Sequence, residues 1–222
     1  HAHADNEVRQ QNQAFYEFLV PLVKGLSTEM SLDVASLGVQ VHGGMGFIEE
    51  TGAAQYLRDA KILTIYEGTT AIQANDLVGR KTARDGGQVA RAIAGRIEAT
   101  EAALAQRSSA ASKSMLKHLR AARAAFVEVV DFVAGSTKAS PNAVFAGSVP
   151  YLMLAGNVVA GWQMARALIV AEDQRAEDAA FMDAKVATAR FYAEHILSKV
   201  PGVRDSIIEG HAAVNDMALE AF

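Results

Sequence analysis

Cysteine is absent from all 222 residues of the chain. That excludes disulfides and thiolate metal sites, and it suits a reducing, cytoplasmic-type compartment. Proline is scarce, at four residues, so few positions force a helix to stop. No basic block occurs and the net charge is -4, so nothing attracts nucleic acid globally. An initiator Met and a signal-peptide pattern are both missing. The first residues read as the middle of a helix, and we expect the C-terminal piece of a longer polypeptide. His1 and His3 form a His-x-His pair, but a frayed terminus is the expectation and no metal site is foreseen. Period-two alternation over five residues is also missing, which predicts almost no strand.

Charge vanishes from Ala139 to Ala165, a stretch long enough to cross a bilayer. Pro141, Asn142, Pro150, Asn157 and Gln163 would carry polar or broken backbone into hydrocarbon. A buried helix at the centre of a bundle is the expected reading, with no membrane span.

What is present is helical spacing nearly throughout. Half of the residues are apolar and 21% are charged, as in an ordinary globular protein. Phe15, Phe18, Leu19 and Leu22 share one face of an opening helix that Pro21 should end or kink. Ser27, Thr28 or Ser31 then caps a second helix, which stops at Gly43-Gly44. A third spans about Thr51 to Leu63, and Thr69 or Thr70 caps a fourth reaching Gly79. The polar stretch from Lys81 to Gly87 reads as a linker. Beyond it, Met115, Leu119, Ala122, Phe126, Val129 and Val133 recur in steps of four and three, a seam between antiparallel helices. Further helices are expected at about 144–171, 179–199 (broken by Pro201-Gly202) and from 204 onward. The fold class is all-α: an up-and-down helical bundle over residues 1–82, then a second helical bundle domain over 83–222.

The chemistry concentrates between Gln40 and Arg80. Glu67 follows the apolar run Ile62-Leu63-Thr64-Ile65-Tyr66, able to exclude water, and precedes Gly68, which permits a tight turn. A desolvated carboxylate is a stronger base and can remove a proton next to a thioester carbonyl. The alternative is a glutamate at an exposed helix entrance. Gly43, Gly44 and Gly46 could present backbone N–H groups to a phosphate, though a helix C-cap followed by a turn explains them equally. Arg58-Asp59 is either a surface ion pair or a device that orders the Glu67 loop.

In order, Gln40 to Phe47 form a Q-x-x-G-G-x-G-F block, Arg58 to Lys61 an R-D-x-K block, and Tyr66 to Thr69 a Y-E-G-T block. This combination resembles the C-terminal helical region of acyl-CoA dehydrogenases, strongly over residues 1–82. The remainder resembles, on helix order and alanine content, the added C-terminal domain of the longer members. The resemblance implies an FAD-dependent enzyme that desaturates acyl-CoA thioesters, with electron-transfer flavoprotein as acceptor and a homodimer or homotetramer as assembly. It implies Glu67 as the catalytic base, with Tyr66 and Gly68 lining the thioester site. Gln40 and Gly44, with Gly43 beside them, match positions facing the FAD of the adjacent subunit, and Thr69 matches one facing the FAD of its own. One departure stands out: some members carry a second FAD-binding glutamine where this chain has Ala71, and Gln73 lies two residues further on. An acyl-CoA oxidase using the same base, or a non-catalytic helical scaffold, are the competing readings. The isolated chain is expected to be inactive. Trp162 reads as core, and His118, His195 and His211 as unremarkable. The second domain would pack on the first, extend a dimer contact or cover the acyl or CoA channel.

Overall fold

The computed structural model describes residues 4–221, and His1 and His3 lie outside them. Eleven α-helices follow one another, with no strand among the described residues. They are α1 (Asn6–His42), α2 (Gly44–Phe47), α3 (Ala53–Leu63), α4 (Thr70–Asp76), α5 (Gln88–Ala105), α6 (Ala110–Ser136), α7 (Pro141–Ala146), α8 (Ser148–Asp173), α9 (Ala179–His195), α10 (Val200–Ile208) and α11 (His211–Asn215).

Pro21 neither stops nor divides the first helix: α1 runs unbroken for 37 residues with Pro21 inside it. An internal proline costs about 3 kcal/mol. Phe18 and Leu22, on either side of it, are fully buried, and burial of such side chains contributes about 1.5–3 kcal/mol each. Packing therefore outweighs the local penalty. The expected caps are not caps either. The Thr28 hydroxyl donates to the Lys24 carbonyl at 2.8 Å, and the Ser31 hydroxyl to the Thr28 carbonyl at 2.7 Å, bonds made inside one continuous helix.

The predicted linker is a buried joint. After α4 the backbone continues as a π-helix, Leu77–Ala83. Thr82 within it is fully buried and shares a 2.9 Å hydrogen bond with the phenol of Tyr151, also fully buried. Asp85 then closes the turn by accepting from the amides of Gly87 and Val89. Thr82 faces inward because it has a partner there, which composition alone does not reveal, while Arg84 stays exposed.

The predicted seam holds: Met115, Leu119, Ala122, Phe126, Val129 and Val133 of α6 are all buried. The helix expected at 144–171 is divided at Gly147 into α7 and α8. Pro201 begins α10 rather than breaking a helix, as suits a residue without an N–H in the first turn. α8 is long and apolar enough to span a bilayer, yet it packs against α1, α4, α5, α6, α9 and α10. Leu152, Leu154, Val158, Ala165 and Leu168 are buried there. Trp162 is core as expected, its indole N–H donating to the Thr100 hydroxyl at 2.8 Å. One apolar cluster runs from Phe18 of α1 to Ile207 of α10, so the segments before and after residue 82 share a core.

Candidate active site

Two groups of predicted residues lie at two places along α1. The first is the loop between α3 and α4. α3 ends at Leu63, and the amides of Ile65 and Tyr66 both donate to the Ile62 carbonyl at 3.0 Å, curling the chain over the helix end. Thr70 N–H donates to the Thr64 carbonyl at 3.4 Å and closes the loop. Glu67 and Gly68 sit between those ties. Gly68 has φ 74°, a left-handed backbone that favours glycine. The Thr69 hydroxyl accepts from the Ile72 amide at 3.4 Å and caps α4, as expected.

α1 anchors this loop at both ends. The Lys24 ammonium donates to the Leu63 carbonyl at 2.7 Å, satisfying an orphan acceptor at the negative end of α3. The same ammonium lies 4.7 Å from the centre of the Tyr66 ring. The Thr70 hydroxyl donates to the Glu29 carboxylate. Sequence reasoning missed Lys24 and Glu29. Arg58 and Asp59 neither pair with each other nor reach the loop: Arg58 pairs with Glu49 at 3.3 Å and donates to the Gln55 side-chain oxygen, while Asp59 accepts from the Gln55 side-chain amide.

The expectation that the apolar run excludes water from Glu67 is corrected. Glu67 is exposed, and Ile62, Ile65 and Tyr66 are each at least half exposed. Their apolar surface lies on the outside of the chain, because α3 turns Ala53 and Ala60 inward and uses small side chains to approach α1.

The second group is at the end of α1. Gly43 terminates the helix with φ 62°, its amide donating to the Gln40 carbonyl at 3.1 Å. The His42 ring meets the Gly38 carbonyl at 2.9 Å, a capping role. Gly46 is needed for packing, since a Cβ there would lie 2.2 Å from the Val39 carbonyl oxygen. Gly44 faces open space and has φ below zero, so this chain's own fold does not require glycine there. From Lys24 to Gln40 is roughly 24 Å along the helix axis, so the structure keeps this group apart from Glu67. Between them α1 and α3 leave a groove of about 470 Å³ lined by Val34, Gly38, His42, Tyr56 and Ala60. Among the described residues, no cluster of three or more His, Asp or Glu side chains is arranged to hold a metal ion.

Among the other histidines, His195 stacks on Phe191 at 4.5 Å. His118 is half-buried, and burial, with Lys117 beside it, holds its pKa below the ordinary histidine value.

Two family models match the chain, one on each side of the joint. Residues 2–81 match the family model described as acyl-CoA dehydrogenase, C-terminal domain. Residues 93–218 match the model described as acetyl-CoA dehydrogenase C-terminal like. A 3-methylmercaptopropionyl-CoA dehydrogenase of Ruegeria pomeroyi is 50% identical over 215 residues, covering 93% of this chain and 36% of that protein. A broad-specificity linear acyl-CoA dehydrogenase of Mycobacterium tuberculosis is 33% identical over 206 residues, 86% of this chain and 33% of its own length. A butyryl-CoA dehydrogenase of Syntrophomonas wolfei is 28% identical over 224 residues, 98% of this chain and 36% of its own. The chain thus spans about a third of the length of these curated relatives. With C-terminal models matching on either side of the joint, the chain belongs to the acyl-CoA dehydrogenase family.

Proposed function

We propose that this chain is the C-terminal part of an FAD-dependent acyl-CoA dehydrogenase, with Glu67 as the base that removes the proton α to the thioester carbonyl. The observation that carries the reading is the Glu67 loop: a carboxylate at the tip of a closed turn, tied to α1 at both ends and ringed by exposed apolar side chains. A carboxylate in bulk water is a weak base for a carbon acid, so catalysis requires this face to be covered in the assembled enzyme. Ile62, Ile65, Tyr66 and Ile72 offer the surface that such a cover would bury. Tyr66 and Gly68 then line the thioester site, where the backbone of the tight turn can approach the acyl group.

The residues at hand fit parts of a flavin nucleotide. The Gln40 side chain is exposed, and Gly44 offers backbone with no side chain in front of it. Thr69 keeps its hydroxyl proton free to donate while its oxygen caps α4. In this reading Gln40, Gly43 and Gly44 would hold FAD at one site and Thr69 at another, which suits their separation along α1 and an assembly of two or four copies. FAD, when bound, would supply an acceptor for the β-hydrogen as hydride. The chain's own contribution is to hold Glu67 against the α-carbon and take its proton. Each group is too small and too open to retain FAD without the rest of the enzyme. We keep a family-like unit at 1–82 and an added helical unit at 83–222, joined through the shared core. Electron-transfer flavoprotein is the acceptor in this reading, and a reducing, cytoplasmic compartment its setting.

The test is Glu67→Gln in the full-length polypeptide, with anaerobic bleaching of the flavin by an acyl-CoA as readout. We expect thioester binding to persist and the bleaching rate to fall by about 10²–10⁴-fold, the range of general base catalysis. Unchanged bleaching would remove Glu67 from this role. Peroxide formed in air at the rate of turnover would favour an oxidase.

A further inference from the structure

We propose that Lys24 and Glu29 are positioning residues that hold the Glu67 loop in register, with α1 acting as the ruler between its two ends. The proposal rests on the assignment of Glu67 as the base. The backbone of the loop is tied only where it enters and leaves. Ile65 and Tyr66 bond to Ile62 at the entry, and Thr70 bonds to Thr64 at the exit through a long 3.4 Å contact. These ties fix a local turn but do not fix the turn against the rest of the molecule.

Lys24 supplies the first external tie. Its ammonium bonds the Leu63 carbonyl at 2.7 Å and lies over the Tyr66 ring, so one charge fixes both the end of α3 and the residue before Glu67. Charge-assisted bonds of this kind are stronger than neutral ones. Glu29 supplies the second tie through the Thr70 hydroxyl, three residues after Glu67. Both bonds are part-buried, so solvent screens them less than surface pairs. Lys24 and Glu29 stand about 7.5 Å apart along one helix. That helix is seated by the buried side chains of Phe18 and Leu22 and by Gly25, where a Cβ would come within 2.4 Å of Leu152. A rod packed in this way sets the distance between the two ends of the loop, and with it the height of Glu67. Neither residue touches the reacting atoms in this account.

The experiment uses Lys24→Met, Lys24→Arg and Glu29→Leu in two settings. In this chain, amide hydrogen exchange at residues 65–70 is compared with exchange in α5 and α6. Lys24→Met should speed the loop amides by about tenfold or more, the loss of a charge-assisted bond, with α5 and α6 unchanged. In the full-length, flavin-loaded polypeptide, Lys24→Met should slow anaerobic flavin reduction by about 10–100-fold, with thioester affinity held within about twofold. Lys24→Arg, which keeps the cation and its donors, should restore both readouts. Glu29→Leu should loosen residues 68–70 and slow reduction in the same way, and it carries the test if Lys24→Met does not fold. Loop exchange and reduction rate both at wild-type levels in Lys24→Met and Glu29→Leu would overturn the proposal. A Glu67→Gln control separates the two ideas. If that control abolishes reduction while the α1 variants change nothing, positioning fails and the base stands. If it reduces flavin normally, the base assignment fails, and the exchange data alone report on the anchoring.

Discussion

Gly68 shows how much one residue decides here. Its φ of 74° costs an alanine about 1–2 kcal/mol, and a Cβ would also come within 2.5 Å of the Gln73 side-chain nitrogen. Gly68→Ala should therefore lower the unfolding free energy by about 1–2 kcal/mol in urea titration, because the Gln73 amide can swing aside but the backbone angle cannot relax. An unchanged midpoint would mean that the loop has another conformation within reach. Glu67, Gly68 and Thr69 were legible in the sequence because they are consecutive and each carries a local signal: a carboxylate, a turn residue, a cap. Lys24 and Glu29 were not. Their partners lie 39 and 41 residues away, one partner is a backbone carbonyl, and a lysine and a glutamate on a long helix look like any solvated face. Gly43, Gly44 and Gly46 share one motif but divide on inspection into a helix terminator, an open position and a packing contact.

The elements meet through small residues and buried hydroxyls. α1 crosses α8 where Leu152 covers Gly25 and Leu26 covers Gly156, each glycine giving the opposite leucine its seat. Beside this crossing, the bond between Thr82 and Tyr151 ties the π-helical joint to α8. Burial pushes the Tyr151 phenol well above its ordinary pKa, so it stays a neutral hydrogen-bonding group. Tyr151→Phe leaves the Thr82 hydroxyl buried without its partner and should cost about 1–3 kcal/mol. Adding Thr82→Val should cost less than the sum of the single changes, as a double-mutant cycle in urea would show. Strict additivity would mean that the two hydroxyls do not interact. The helical period and the α6 seam were readable because they depend on spacing alone. Pro21 and the burial of Thr82 were not legible because local rules treat a proline or a polar run as exposed, and here tertiary contacts decide.

At the scale of the molecule, ion pairs join the helices around the shared core. Arg123 of α6 grips the buried Glu101 of α5 at 2.8 and 3.0 Å. Arg107 reaches Glu172 and Asp173 at the end of α8. His118 is half-buried on α6, its pKa depressed by burial and then by Lys117, partly opposed by Glu194. The unfolded chain binds this proton more readily than the folded one, so stability from His118 is present above 6.5 and is lost as pH falls below it. His118→Asn should flatten the decline of melting temperature over that range, whereas an identical slope would remove His118 from the balance. The same architecture leaves the Glu67 face uncovered, and that face is where the functional account is most exposed to test. The most direct measurement is exchange of the acyl-CoA α-hydrogen with D2O, followed by mass spectrometry under anaerobic conditions with the full-length polypeptide. The account predicts exchange by the wild type and loss of that exchange in Glu67→Gln with the thioester still bound. Exchange at the wild-type rate in Glu67→Gln would contradict it.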